Sequence, residues 1–69
     1  MKANHLDRMI GQYCKIVMKE PGEQKAHVMA GVITEIDNDA GFIIIETPPG
    51  TACLNMQAVI AIKPRQRQL

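Results

Sequence analysis

Apolar and polar residues alternate with a period of two in segment 13–19, where Cys14, Ile16 and Met18 would share one face. This period is typical of a β-strand with one face against a core and the other in water. Four later segments also have strand composition and are separated by turns of polar, Pro and Gly residues: 27–36, 42–45, 51–55 and 59–62. The pattern therefore predicts five short strands.

Before the first of these strands, the apolar residues follow a different spacing. Leu6, Met9 and Ile10 recur at helical intervals, Asn4 suits an N-cap, and Gly11 suits the end of a helix. We therefore expect one or two turns of amphipathic helix before the sheet begins.

The expected fold is mostly β: a short N-terminal helix followed by a five-stranded, strongly bent antiparallel SH3-like barrel. No predicted helix is long enough for the crossover that parallel strands need. Gly31 lies inside the second strand segment and is a candidate for a bulge or sharp bend. We place the barrel domain at residues 1–64 and a flexible basic tail at residues 65–69.

Composition narrows the possible functions. The 69 residues leave room for one core only, and a domain this small is a candidate for self-association. Aromatic residues make up 3% of the chain, so one copy lacks the rings for a base-stacking platform. The net charge of +1 excludes the strongly basic class of nucleic-acid binders, although Lys63, Arg65 and Arg67 give the last residues a basic character.

Motifs for catalysis, metal binding or cofactor binding are missing from the sequence. It contains no serine, no C-x-x-C and no Gly-rich phosphate loop, so we expect no catalytic residues, no metal and no cofactor. Asp37 and Asp39 form the one close carboxylate pair of note, and turn capping is the favoured interpretation. Cys14 and Cys53 are expected to be buried, reduced thiols.

The longest purely apolar run, 42–45, is too short to span a membrane. Residues 1–8 lack the apolar stretch of a secretory signal. These two features favour a cytoplasmic or virion-internal location with no membrane partner.

Three stretches of the chain resemble the Sm/LSm family of Sm-like proteins. Segment 9–19 is similar to the family's helix end and alternating first strand. Segment 31–37 resembles its first motif, in which a bent strand carries a Gly and ends in an apolar-Asp pair, and segment 59–64 resembles its last strand. The resemblance implies a homo-oligomeric ring, here of roughly five to seven copies, that contacts RNA or a ribonucleoprotein.

By the same resemblance, the nucleotide pocket would involve Asp37, Asp39, Gly41 and Asn55. Asp39 stands where the family commonly has an aromatic residue or His, so the pocket is expected to be degenerate. RNA contact would then depend mainly on phosphate contacts from the cationic side chains of the tail: Lys63, Arg65 and Arg67.

The last two strands are short and apolar, and an uncovered edge there would pair with another copy. We predict that the fourth strand of one subunit pairs with the fifth of the next, through Leu54, Val59, Ile60, Ala61 and Ile62. The alternative is a structural or protein-interaction SH3-like module that oligomerises without binding RNA. An enzyme is the third interpretation, and it would need a pocket at a subunit interface.

Overall fold

The computed structural model describes residues 5–65. Five strands of this segment form one antiparallel sheet in the order β4-β3-β2-β1-β5, which confirms the prediction of a mostly β chain with five antiparallel strands. The sheet is not closed, because β4 and β5 do not pair with each other. The strands are β1 Tyr13–Met18, β2 His27–Asp37, β3 Phe42–Thr47, β4 Gly50–Asn55 and β5 Val59–Pro64.

The N-terminal element is a 3₁₀ helix, His5–Met9, so the structure does not support the predicted one or two turns of amphipathic helix. Ile10 donates its N–H to the Asp7 carbonyl at 3.3 Å, an i to i+3 contact typical of 3₁₀ geometry. Gly11 adopts φ +86° and donates to the Ile33 carbonyl at 2.7 Å, so the chain enters the sheet at once. The segment is too short to offset the cost of nucleating an α-helix.

A second 3₁₀ helix, Met56–Ala58, is the whole connection between β4 and β5. No helix within residues 5–65 has the length and apolar character needed to cross a membrane.

The two halves of β2 pair with different neighbours. Residues 27–32 pair with β1, and residues 32–37 pair with β3. At the junction a Cβ built on Gly31 would stand 2.5 Å from the Glu46 carbonyl oxygen, so the end of β3 lies directly over this glycine. Gly31 therefore allows the close approach of two backbones.

The bulge in β2 lies three residues later, at Thr34. Ile33 and Glu35 pair with the consecutive residues Ile45 and Ile44, which leaves Thr34 as the extra residue. Its hydroxyl donates to the Ile44 carbonyl at 3.3 Å. The bulge in β2 is therefore at Thr34, and Gly31 is the point of close backbone approach.

The core is aliphatic and lies on one face of the sheet. Its five largest fully buried side chains are Cys14, Ile16, Ile33, Ile43 and Ile45. Cys14 and Ile16 alternate along β1 with exposed or half-buried residues, as the period of two predicts. The outward positions beside them carry Tyr13 and Lys15, which are exposed.

Candidate functional site

Both outer strands of the sheet have a free edge. β4 pairs only with β3, and β5 pairs only with β1, so each presents backbone N–H and C=O groups that no strand of residues 5–65 binds. Such an edge is a template for pairing with a further strand. The predicted interface therefore falls on the two strands with an unpaired edge.

The short connection between these edges is held in place by three hydrogen bonds. Met56 donates its N–H to the Gly41 carbonyl at 2.9 Å, and Lys19 donates to the Ala58 carbonyl at 2.7 Å. The side chain of Asn55 caps the second 3₁₀ helix by accepting the Gln57 N–H at 3.0 Å. The two free edges are thus fixed relative to each other.

Ile60 is a bulged residue on the β5 edge. Val17 and Met18 of β1 pair with Ala61 and Val59, so Ile60 is the residue without a partner. Its side chain is 60% exposed, although it is fully apolar. A bulge commonly re-aims a side chain, and here it leaves an aliphatic group in solvent beside an unpaired edge.

An open apolar groove of about 290 Å³ runs beside this strand. Its lining combines the N-terminal 3₁₀ helix, β3, the second 3₁₀ helix and β5: Met9, Ile43, Met56, Val59, Ile60, Ala61 and Ile62. Four of the five residues predicted for the subunit interface therefore meet in one place.

Leu54, the fifth predicted interface residue, lies elsewhere. Its side chain is only 5% exposed and packs in the core opposite Ile43 of β3. Only the backbone of Leu54 belongs to the β4 edge. The outward side chains of β4 are those of Thr51, Cys53 and Asn55.

The positions predicted for a nucleotide pocket come together, but three of them serve the local backbone. Asp37 accepts the Ala40 N–H on its carboxylate at 2.9 Å and the Gly41 N–H on its carbonyl at 2.8 Å. Gly41 has φ +81°, which favours glycine, and Asn55 caps the second 3₁₀ helix. The turn-capping interpretation of Asp37 is confirmed.

Asp39 lies at the tip of the same turn and is exposed. Across the sheet Asp37 pairs with Phe42, and Phe42 pairs with Asn55, so all the predicted pocket positions surround one end of β3. The carboxylates of Asp37 and Asp39 give this end an acidic character.

A basic block occupies the outer face of β1 and β5, and we define it as Tyr13, Lys15, Lys63 and Arg65. Lys15 pairs directly with Lys63 across the two strands. Arg65 donates its N–H to the Tyr13 carbonyl at 2.9 Å and so extends the ladder by one residue. All four residues are exposed. The remaining residues of the predicted tail, Arg67 among them, lie outside the described residues.

Lys15 and Tyr13 are the members of this block that the sequence analysis did not predict, and Lys15 is the charged one. The alternation in segment 13–19 already assigned Lys15 to the face away from Cys14. What the sequence did not provide was the pairing of the first strand with the last, which brings Lys15 opposite Lys63.

The prediction that both cysteines are buried is wrong for Cys53. Cys14 is fully buried, and burial raises the pKa of its thiol by desolvating the thiolate. Cys53 is exposed on the outer face of β4, because alternation places Leu54 inward and its neighbour outward. Both thiols are free.

The other titratable side chains of residues 5–65 form few groupings that could bind a metal or catalyse a reaction. His27 approaches Glu23 at 3.2 Å on the surface. Within residues 5–65 no group of three or more His, Cys, Asp or Glu side chains is arranged to hold a metal ion. The free edges and the basic block are instead suited to association through strands and to contact with anions.

No protein-family model, no curated protein and no solved structure matches this chain.

Proposed function

We propose that the protein is a non-enzymatic, Sm-like ring subunit that assembles through its two free strand edges and contacts RNA. The observation that carries the proposal is the pair of unpaired edges, β4 and β5, with an apolar groove beside one of them. Copies that pair β4 with β5 of the next subunit would satisfy both of these edges, and closure of the series into a ring leaves neither of the two exposed.

The strand order and the change of partner along β2 support an SH3-like barrel of the Sm type. Five strands follow one another as neighbours, except that the last strand returns to pair with the first. The outer strands β4 and β5 are separated by only three residues, which keeps their adjoining ends close together. The open side of such a barrel would be the seam where another copy pairs.

The basic block supports a weak, salt-dependent contact with RNA phosphates. Lys15, Lys63 and Arg65 provide three positive charges beside the exposed ring of Tyr13. Repetition of the block on each copy of a ring would add binding strength through avidity. Because phosphate contacts carry no sequence information, we expect little preference among RNA sequences.

A structural or protein-interaction module without RNA binding is the second candidate. The predicted nucleotide pocket favours this candidate, because the side chains of Asp37 and Asn55 already accept hydrogen bonds from backbone N–H groups. The carboxylates of Asp37 and Asp39 would also repel an RNA phosphate. The two candidates share the ring and differ in the role of the basic block.

Substitution of Ile60 tests the assembly. Ile60→Lys places a charge on the β5 edge, and we expect light scattering after size-exclusion chromatography to show smaller species than the unaltered protein forms. Val28→Lys is the matched control, since Val28 is also an aliphatic strand residue with 60% exposure but lies on β2, away from both edges. If Ile60→Lys and Val28→Lys both form species of the same mass as the unaltered protein does, that result would contradict an interface at β5.

A further inference from the structure

An aliphatic row crosses three neighbouring strands on the outer face of the sheet, the face away from the core. Val17 of β1 pairs with Val28 of β2 on one side and with Ala61 of β5 on the other. Val28 is 60% exposed, and Val17 and Ala61 are half-buried. We define these three residues as the aliphatic row. They give the outer face of β2, β1 and β5 an apolar surface beside its charges.

The basic block continues directly from this row. Lys15 lies two residues from Val17 on the same face of β1, a distance of about 7 Å along the strand, and Lys63 lies opposite Lys15. Tyr13 and Arg65 come two residues further. One end of the face is therefore apolar, and the other is cationic.

The positive charges of the block have no acidic partner within the described part of the chain. The one ion pair found among residues 5–65 joins His27 to Glu23 in and beside the loop that precedes β2. The carboxylate of Glu46, on β3, accepts the hydroxyl of Thr51 on β4 at 2.7 Å, on the far side of β3 from β2. Negative charge for the block must therefore come from another molecule.

The dimensions of this face fit one α-helix. β1 pairs with a strand on each side, so a segment lying over it meets side chains and must satisfy its own backbone hydrogen bonds, as an α-helix does. Three strands span about 10 Å, close to the diameter of a helix with its side chains. The five residues from Val17 to Tyr13 span about 13 Å, the length of about nine helical residues.

No helix among residues 5–65 can cover the face. The two helical elements of this segment are 3₁₀ helices of five and three residues, and both are too short. An RNA phosphate would use the cations and leave the aliphatic row in water. A helix that carries both aliphatic and acidic side chains would use the whole face.

We propose that the outer face of β2, β1 and β5 docks an amphipathic α-helix of another protein, with aliphatic side chains over the aliphatic row and carboxylates beside Lys15 and Lys63. Helix residues four apart lie on one face and about 6 Å apart, which matches the spacing of Val17 and Lys15. This partner is independent of the proposed function, since neither ring closure nor phosphate contact uses Val28. A bound helix would compete with RNA for Lys15 and Lys63.

A synthetic helix is the probe that tests the docking. A fluorescein-labelled peptide of about 18 residues carries a glutamate four residues after each leucine in an alanine and glutamine background. The control peptide has the same composition, with each glutamate two residues after a leucine and therefore on the opposite helix face. Fluorescence anisotropy in low salt should show that the first peptide binds at least about tenfold more tightly.

Two variants test the two halves of the face. Val28→Thr keeps the β-branched shape and should weaken binding about fivefold, whereas Ile10→Thr, at a 44% exposed position outside the sheet, should change it little. Lys15→Glu should weaken binding at least about tenfold, and Lys25→Glu, in the loop between β1 and β2, is its charge-matched control. A peptide with lysine in place of glutamate should bind Lys15→Glu better than the unaltered protein, which also shows that the variant is folded.

Four results would overturn the proposal. One is equal affinity for the two peptides, and another is binding that depends on Lys15 but is unchanged in Val28→Thr. The third is Val28-dependent binding of phosphatidylglycerol vesicles without binding of the peptide, which would assign the face to a lipid surface. The fourth is a smaller particle mass in Val28→Thr without peptide, which would show that another copy covers the face.

RNA binding is measured separately on the same variants. RNA binding without peptide binding overturns the helix partner and leaves the proposed function standing. Peptide binding without RNA binding supports the helix partner and contradicts the RNA contact.

Discussion

Gly31 lies under the backbone of Glu46, so that a Cβ on Gly31 would come within 2.5 Å of the Glu46 carbonyl oxygen and 3.1 Å of its carbonyl carbon. This approach is where β2 passes from its pairing with β1 to its pairing with β3. Because the obstacle is backbone, a side chain cannot rotate to relieve it. The change of pairing partner along β2 therefore depends on the absence of a side chain at this position.

Gly31→Ala should accordingly destabilise the fold by about 3 kcal/mol, the upper part of the usual range for overpacking. Gly22→Ala is the comparison, since nothing lies within 4 Å of its added Cβ and only its φ of +88° is unfavourable. That change should cost about 1 kcal/mol. Urea unfolding followed by circular dichroism measures both values, and equal midpoints would contradict a steric role for Gly31.

Asn55 stabilises the connection between the two edges through its cap. Asn55→Ala removes the acceptor of the Gln57 N–H and should lower the free energy of unfolding by about 1 kcal/mol. Asn55→Asp keeps an acceptor oxygen and should retain most of the stability. If both variants unfold at the midpoint of the unaltered protein, the cap contributes nothing.

The two thiols should react very differently with a water-soluble disulfide reagent at pH 8. Cys53 is exposed and should react in the native state, whereas Cys14 is fully buried and its pKa is raised, so it should react only on unfolding. We therefore expect one fast equivalent in buffer and two in urea. Cys53→Ser should abolish the fast equivalent, and a persistent fast reaction in that variant would show that Cys14 is accessible.

RNA binding, if it follows the basic block, should be sensitive to Lys15. Lys15→Gln should weaken binding of a single-stranded oligonucleotide and reduce the magnitude of the salt slope by about 0.7 for each phosphate that the variant no longer neutralises. Deletion of residues 65–69 should remove most of the affinity, whereas Lys25→Gln and Asn55→Ala should change it little. Fluorescence anisotropy across a salt series measures these effects.

Tight binding of one RNA sequence at high salt, unchanged by Lys15→Gln and by removal of the tail, would contradict that expectation. It would indicate that the turn around Asp39 still reads bases. Absence of binding to any RNA tested, with assembly intact, would favour the structural module.

The strands were predictable because their signals are local. The alternation around Cys14 and Ile16 and the turns between apolar segments together indicate an antiparallel sheet of five strands. The 3₁₀ geometry of the N-terminal element was not predictable. The helical spacing of Met9 and Ile10 does not reveal that the Gly11 N–H donates to the Ile33 carbonyl immediately afterwards. A tertiary contact therefore ends this segment before an α-helix can form.

The candidate site was predictable only in part, for a similar reason. Val59, Ile60, Ala61 and Ile62 are consecutive, so one apolar run indicated most of the groove. The basic block joins residues from opposite ends of the chain, and Lys15 gains its place only through the β1–β5 register. The exposure of Cys53 was not predictable from its apolar character alone, because alternation along β4 places Leu54 inward and Cys53 outward.

Native mass spectrometry of the unaltered full chain tests self-association most directly. We predict a single dominant particle whose mass is about five to seven times the 7.6 kDa of one copy, formed without added RNA and absent in Ile60→Lys. A chain that remains at 7.6 kDa from micromolar to millimolar concentration would contradict pairing of the β4 and β5 edges.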